Sequence, residues 1–340
     1  EISCSLVGSE MCIRDRDKEE DMLEIQYREM KNKGIEILRC FGKDVSVRLP
    51  EEINGKPVLK IGDYAFSGHK RKEDEAETIR IGEDLFEEEN PEMICGPRVE
   101  EVYLPVHVEE IGRYAFYGCV NLRCLGFSDS LLRTGTGIFT GCKLREIRLD
   151  LYHGEKTALK DVVGDTRFPV TVRIRDHQDG HEASLFFPEY YEESVENTPA
   201  RIVELHFHGT GYQYRQCFFQ GKLDYEKYDA LFPVASVQED PEIAWEIALG
   251  RMLQPYRMTE EHKKRYLDYM RENLDQILEH LLTEENLPAF HMFAKENVWT
   301  RETIEAAIEK ASAGKKTGIL SVLMDEQNRR FPRKKKTFDL

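Results

Sequence analysis

Between Val99 and Leu149 one spacing of apolar residues occurs about three times. An apolar residue is followed three positions later by a second, and two positions after that by a third. The copies are Val99-x-x-Val102-x-Leu104, Leu122-x-x-Leu125-x-Phe127 and Leu144-x-x-Ile147-x-Leu149. Successive copies begin 23 and then 22 residues apart, and a period of roughly 20–29 residues predicts a solenoid of stacked coils.

Each copy predicts a short strand followed by a turn. The last two apolar residues lie two positions apart, so on a strand both point to the same face. A single coil cannot bury that face, and neighbouring coils must stack on it. The turns share glycine, an aromatic residue and cysteine, as in Ile111-Gly112-x-Tyr114-Ala115-Phe116-x-Gly118-Cys119 and Gly135-x-x-Ile138-Phe139-x-Gly141-Cys142. We expect the aromatic ring of each turn inside the stack.

An earlier copy precedes these three. Val47-x-Leu49-Pro50 matches the strand, and Ile61-Gly62-Asp63-Tyr64-Ala65-Phe66-Ser67-Gly68 matches the turn. Residues 69–98 are rich in charge and poorly periodic, so we interpret them as an inserted or decayed coil. Within it, Ile79 and Ile81 are expected to retain strand character.

These residues resemble the BspA-like subfamily of leucine-rich repeats. Its consensus reads roughly L-x-x-I-x-L-P, then I-G-x-x-A-F-x-G-C and N-L. The matching residues are Leu104-Pro105, Ile111-Gly112, Ala115-Phe116, Gly118-Cys119 and Asn121-Leu122. The chain departs at Gly137-Ile138, where a second alanine is expected, and at His69, where a cysteine would follow Gly68. Members of the subfamily are non-catalytic and many are bacterial surface proteins, so the resemblance implies partner binding.

The expected architecture is α+β, with a leucine-rich-repeat solenoid over residues 45–150. Residues 17–44 alternate at Ile35-x-Ile37 and are predicted to form an N-terminal β cap, because an open solenoid end needs a terminating element. Residues 1–16 resemble translated sequencing-adapter sequence and are therefore excluded from the fold prediction as a non-native segment.

The second half of the chain departs from the repeat. Residues 151–238 alternate apolar and polar positions at Val170–Ile174 and Ile202–Phe207, which predicts a β-rich segment made of degenerate coils or a small β unit. Asp240-Pro241 is a helix start signal. Residues 239–328 are predicted to be an all-α, helical-repeat-like domain resembling ankyrin-type helix pairs, and residues 329–340 form a basic tail.

Composition narrows the classes of partner. The net charge of −16 opposes general binding to a phosphate backbone, so no nucleic-acid partner is expected. No run of 18 apolar residues is present, so no membrane insertion is expected.

Cys119 and Cys142 occupy buried positions of the repeat, where a thiol behaves as a small hydrophobe. Unpaired cysteines without a signal peptide favour the cytoplasm; the alternative is the cell surface, if the true N-terminus carries a secretion signal.

Candidate chemistry is sparse. His206-x-His208, with His177 and His181, admits a metal site, but polar residues on the solvent face of a strand explain the pair better. The glycines of 135–141 and of 314–317 lack the context of a phosphate-binding loop. We expect no cofactor, no metal and no catalytic residue. A metal-dependent enzyme centred on residues 150–220 is the least favoured alternative, and the basic tail is interpreted as a solvated segment.

The preferred candidate site consists of the outward residues of the strands. Besides Cys124 and Gly126, these are the proposed partner-binding residues Ser46, Arg48, Glu101, Tyr103, Glu146 and Arg148. Stacking would place them in a mixed-charge patch with one aromatic ring, and Tyr and Arg often anchor interfaces. The favoured function is a non-catalytic, bacterial protein–protein interaction scaffold, and the alternative is a surface-displayed adhesin of the same repeat family.

Overall fold

The computed structural model describes residues 22–31, 33–69, 76–82, 91–197 and 202–332. The chain forms two compact units that meet in sequence between Asp224 and Tyr225. The strands, all in the first unit, are β1 (Leu23–Glu29), β2 (Ile35–Phe41), β3 (Ser46–Arg48), β4 (Glu52–Ile53), β5 (Lys56–Ile61), β6 (Glu77–Ile81), β7 (Glu101–Tyr103), β8 (Glu110–Ile111), β9 (Cys124–Ser128), β10 (Arg133–Thr134), β11 (Glu146–Leu151), β12 (Val170–Asp176), β13 (Glu182–Phe187), β14 (Tyr191–Asn197), β15 (Ile202–His208), β16 (Phe218–Phe219) and β17 (Lys222–Leu223).

The helices are short in the first unit and longer in the second. They are α1 (Leu159–Gly164), α2 (Gly211–Tyr214), α3 (Tyr225–Ala230), α4 (Phe232–Gln238), α5 (Pro241–Leu253), α6 (Glu260–Thr283), α7 (Leu287–Lys295), α8 (Arg301–Ala313) and α9 (Thr317–Arg330). A short 3-10 helix spans Gly96–Arg98.

The coils of the first unit stack as the repeat predicts. In the sheet here named sheet A, β3, β7, β9, β11 and β12 are parallel neighbours in that order, and β13 closes one edge antiparallel. Their central residues are direct partners in adjacent strands and are all buried: Val47, Val102, Leu125, Ile147 and Val172. The predicted solenoid is therefore confirmed, because each aliphatic side chain is covered by its equivalent in the next coil.

A second sheet, sheet B, runs along another side of the coils. β2, β5, β8 and β10 are parallel neighbours, and β1 pairs antiparallel with both β2 and β6. The N-terminal strands thus extend the sheet formed by the coils. Across sheet B, oppositely charged residues are in register: Glu36, Lys60, Glu110 and Arg133. The Lys60 ammonium lies 2.8 Å from Glu110, whose carboxylate also accepts a hydrogen bond from Arg133 at 3.1 Å.

Aromatic rings fill the turns of the coils. Phe66, Phe116 and Phe139 form a continuous stack with centroid separations of 5.2 and 5.7 Å. The glycine before each turn permits close approach of the main chains, since a Cβ at Gly135 would lie 2.4 Å from the amide nitrogen of Arg113. Cys119 and Cys142 are buried within this part of the stack, as expected from their place in the repeat.

Asp165 ends the series of hydrogen bonds that joins equivalent turns of successive coils. The amides of Phe66 and Phe116 donate to carbonyls of the next coil, at 2.8 and 3.1 Å. The equivalent amide of Phe139 instead donates to Asp165 Oδ2 at 2.7 Å. Burial raises the pKa of Asp165. A side chain that follows α1 therefore replaces the carbonyl that a further coil would supply.

The strand character expected at Ile79 and Ile81 is confirmed, because both residues lie in β6, which pairs with β1. Two other sequence interpretations require correction. The last residues of the segment 69–98 belong to the coils and not to an insertion: buried Ile94 returns the chain to the stack, where the Gly96 amide donates to the carbonyl of Phe66. Residues 225–238, assigned to the β-rich segment, form α3 and α4 of the second unit. The sequence interpretation began the helical domain at the Asp240-Pro241 start signal, but burial at helical spacing already stabilises helices from Tyr225 onward.

The helices of the second unit pack in two rows. α7 packs against α5 and α9 in one row, while α6 packs against α8 in the other. The predicted apolar face of α6 is buried throughout: Leu267, Met270, Leu274, Ile277, Leu278 and Leu281. This arrangement fits the predicted helical-repeat-like domain, and its ankyrin-like character stays a prediction.

A buried ion pair and its hydrogen bonds link the early helices of this unit. Arg251 and Asp229 are fully buried and joined by two hydrogen bonds of 2.7 and 2.8 Å. The Tyr266 hydroxyl also donates to Asp229 at 2.8 Å.

In the basic tail, Arg329 and Arg330 belong to the last turn of α9 and contact Glu326, whereas residues 333–340 lie outside the described part. The segment 1–16 also lies outside it.

Candidate functional site: the outward rows of sheet A

Strand register brings the predicted site residues together in two rows. One row contains Ser46, Glu101, Cys124, Glu146 and Thr171. The other contains Arg48, Tyr103, Gly126, Arg148 and Arg173. Because neighbouring strands are parallel and in register, equivalent positions of successive coils become lateral neighbours. The carboxylates and the guanidinium groups therefore face one another across the sheet.

Tyr103 is the centre of this patch. Its ring lies between two arginines, with the guanidinium carbons of Arg48 and Arg148 at 4.7 and 5.7 Å from the ring centroid. Its hydroxyl donates to Glu101 at 3.0 Å and accepts from Arg148 at 3.0 Å. The ring, its hydroxyl and both neighbouring cations are thus held in one geometry.

Gly126 makes room for the ring. A Cβ built at this position would lie 2.5 Å from Cδ1 of Tyr103, and the three nearest atoms all belong to that ring. The absence of a side chain in one coil therefore lets the tyrosine of the preceding coil lie flat across the sheet. Cys124, predicted to point outward, is buried on the same strand, with its sulfur 3.8 Å from the tyrosine oxygen.

Burial and neighbouring charges shift the pKa values of Tyr103, Cys124 and Arg148 in this patch. Burial raises the pKa of Tyr103, and it raises the pKa of Cys124 to about 11. Burial alone would lower the pKa of Arg148, but its hydrogen bond to Glu146 and the neighbouring groups outweigh that effect and raise it. At neutral pH the phenol and the thiol both stay protonated, so neither is an activated nucleophile.

The sequence pattern missed part of the surface. Arg173 and Thr171 of β12 continue the two rows, and Arg173 lies 3.6 Å from Glu146. Arg123, which precedes β9, pairs with Glu101 at 3.0 Å. The alternation in Val170–Ile174 was the available signal, but the longer separation between Ile147 and Val172 obscured their common register.

The histidines considered as metal ligands lie elsewhere. His206 and His208 share one face of the two strands β14 and β15, where His208 hydrogen-bonds Glu193 at 2.9 Å and His206 lies 3.5 Å from Glu204. Within residues 22–31, 33–69, 76–82, 91–197 and 202–332, no three histidine, cysteine or carboxylate side chains are grouped as metal ligands would be. In the same residues, every helix is too short or too polar to span a membrane.

Comparisons with known proteins agree with the repeat. Residues 93–157 match the family described as "BspA type Leucine rich repeat region (6 copies)". A search of curated proteins gives no match.

Similar solved structures include three bacterial proteins. One is a leucine rich cell surface protein from Faecalibacterium prausnitzii, with 19% identity over 45% of this chain and 31% of that chain, and a TM-score of 0.26. A leucine-rich repeat protein from Bacteroides ovatus shows 20% identity over 39% and 37%, with a TM-score of 0.25. The Leucine Rich Repeat protein of T. pallidum shows 23% over 37% and 68%, with a TM-score of 0.22. The chain thus spans about a third of the length of the first two proteins.

Proposed function

Because residues 93–157 form a BspA-type leucine-rich repeat region, we propose that the protein is a non-catalytic interaction scaffold that binds a protein partner through the outward rows of sheet A. The observation that supports this proposal most directly is the seating of Tyr103 between Arg48 and Arg148. Fixed aromatic and arginine side chains lose little conformational entropy on binding, and such residues anchor many interfaces.

The proposed contact residues are Ser46, Arg48, Glu101, Tyr103, Glu146 and Arg148. Their charges are paired within the chain, for example Arg148 with Glu146 and Arg123 with Glu101. A partner therefore meets a face of small net charge, and shape together with the ring of Tyr103 would contribute more than long-range attraction.

A capture experiment tests this face. The full chain, immobilised, is exposed to lysate of its source organism, and bound proteins are quantified by mass spectrometry. We expect Tyr103→Ala/Arg148→Ala to reduce the specific partner by about tenfold or more, the size of an interface anchor. The matched control is Tyr117→Ala/Arg113→Ala, which removes one exposed tyrosine and one exposed arginine from a turn outside sheet A. Equal capture by the wild type and the sheet A variant would reject this face.

For the compartment, we propose the cytoplasm. Cys40, Cys95, Cys119, Cys124, Cys142 and Cys217 are free thiols, and reducing compartments keep thiols unpaired. The alternative is a surface-displayed adhesin of the same repeat family. Protease treatment of intact cells separates these possibilities, because a surface-displayed chain is cleaved while a cytoplasmic marker protein survives.

A further inference from the structure

The strands β14 and β15 form an antiparallel ribbon of their own. Among the described residues each pairs only with the other, in register from Tyr191 with His208 to Asn197 with Ile202. Both outer edges of the ribbon therefore present main-chain hydrogen-bonding groups that the sheets do not use. An isolated two-stranded ribbon is only marginally stable in water, so this one depends on what holds its base and what covers its surface.

The base of the ribbon is held firmly. The buried guanidinium of Arg215 donates to the carbonyls of Pro188 and Gly211, which flank the two strands, and to the carbonyl of Phe168. A Cβ at Gly211 would lie 2.1 Å from the carbonyl oxygen of Pro188. The chain segment that leads into β14 and the segment that leaves β15 therefore lie very close together at the base of the ribbon. Phe207 stacks on Tyr212 at 3.8 Å between centroids. The ribbon is thus presented from a fixed base.

The strands themselves are unusually apolar for an exposed element. Val203 and Leu205 are 60% and 53% exposed and lie on the same face of the ribbon as Phe207. Tyr191 and Val195 are exposed on the opposite face. Edge strands normally carry lysine, proline or a bulge that prevents pairing with another chain. The described residues of β14 and β15 contain no lysine, arginine or proline.

The charge of the ribbon is one-sided. Its two strands contain Glu192, Glu193, Glu196 and Glu204 and no basic residue other than histidine. Two copies of this ribbon would bring like charges together, which opposes self-pairing. Glu193 and Glu204 lie on the face opposite Val203 and Leu205. An added strand with alternating side chains would therefore place lysine or arginine beside these two carboxylates while its apolar residues lie beside Val203 and Leu205.

We propose that the β14–β15 ribbon binds an extended segment of another protein in which basic and apolar residues alternate. The segment adds a strand at a free edge of the ribbon, and its main chain supplies the missing hydrogen-bond partners. This surface is separate from the rows around Tyr103, so either proposal can fail while the other stands.

The test uses defined peptides and the full chain. A fluorescently labelled eight-residue peptide of alternating lysine and valine is titrated by anisotropy, beside a peptide with glutamate for lysine and one with serine for valine. We expect saturable binding of the basic apolar peptide, which weakens with added salt, and at least tenfold weaker binding of both others. No binding of the basic apolar peptide, or equal binding of the acidic one, would overturn the proposal.

Variants assign the binding to the ribbon. Val203→Ser/Leu205→Ser and, separately, Glu193→Gln/Glu204→Gln are each expected to weaken binding of the basic apolar peptide by roughly tenfold. The matched controls Val120→Ser/Leu132→Ser and Glu52→Gln/Glu109→Gln change the same number of exposed residues elsewhere in the first unit and should leave binding unchanged. Circular dichroism verifies that each variant is folded. Unchanged affinity in folded ribbon variants would overturn the proposal. A wild-type dimer that Leu205→Glu dissociates would also overturn it, because the ribbon would then pair with a second copy of the chain.

Discussion

Replacing Gly126 by alanine tests the geometry of the Tyr103 patch with one methyl group. The new Cβ would lie 2.5 Å from Cδ1 and 3.2 Å from Cε1 of the tyrosine ring. The main chain at Gly126 is not in the left-handed region, so the substitution introduces no backbone strain there. The ring must therefore leave its place between the two arginines.

The cost follows from the contacts that the ring makes. Two exposed cation–π contacts contribute about 0.5–1 kcal/mol each, and two hydrogen bonds of the hydroxyl contribute about 1 kcal/mol each at most. Water replaces part of these hydrogen bonds when the ring moves, so we expect displacement of the ring to cost about 2 kcal/mol of the free energy of unfolding. Alanine is favoured over glycine in a strand by about 0.5–1 kcal/mol. Gly126→Ala should therefore lower the free energy of unfolding by about 1 kcal/mol.

A double-mutant cycle isolates the effect of the ring. In a Tyr103→Ala background the methyl group meets no ring, so Gly126→Ala should stabilise the chain by about 0.5–1 kcal/mol. The sign of the effect thus reverses between the two backgrounds. The control is Gly68→Ala, since a Cβ there meets nothing within 4 Å, and it should have the same effect in both backgrounds.

Urea denaturation followed by far-ultraviolet circular dichroism measures these changes. The chain contains two tryptophans, Trp245 and Trp299, and both lie in the second unit, so tryptophan fluorescence reports on that unit independently of sheet A. If Gly126→Ala has the same sign in both backgrounds, the ring does not occupy the space above Gly126 and the described patch geometry is wrong.

Three further substitutions test other parts of the structure. Gly135→Ala places a Cβ against the main chain of Arg113 and should destabilise the first unit by about 2–3 kcal/mol in urea; a neutral result would contradict the close stacking of coils. Burial alone would raise the pKa of Glu110, but neighbouring cations hold it below the ordinary 4.5. The unfolded chain then binds more protons, so stability is present above pH 4.5 and is lost as pH falls through the folded pKa; Glu110→Gln should flatten this part of the pH–stability curve, and an unchanged slope would refute the pairing. Asp229→Ala leaves Arg251 buried without its carboxylate and should cost about 3–5 kcal/mol by tryptophan fluorescence, whereas a loss under 1 kcal/mol would contradict the burial.

The periodic part of the fold was predictable in detail. Val102, Leu125 and Ile147 were expected to be layered, and they are direct neighbours in sheet A. Such residues obey a repeat because each is covered by its own equivalent, so one coil specifies the environment of the next. The same reasoning placed Tyr103 and Arg148 on the outward face.

Non-repeated elements were less predictable. Helices α3 and α4 contain tyrosine, phenylalanine and valine, whose local preference is for strands, and their packing in the second unit overrides that preference. Asp165 ends the series of hydrogen-bonded turns by accepting from the amide of Phe139, and no periodic signal in the sequence predicts this contact. Arg215 holds the ribbon through carbonyl groups far away in the sequence, and carbonyls carry no side-chain signature.

The amino-acid sequence by itself determined which side chains are buried between coils and which strands carry the outward rows, because apolar spacing fixes the buried face of each strand. Only the tertiary structure decided how the outward side chains meet. Arg48, Tyr103, Gly126 and Arg148 come from separate coils, and the repeat predicted that they align. The position of the tyrosine ring above Gly126, between the two guanidinium groups, depends on the space that neighbouring coils leave and on side-chain conformations, which local spacing does not encode.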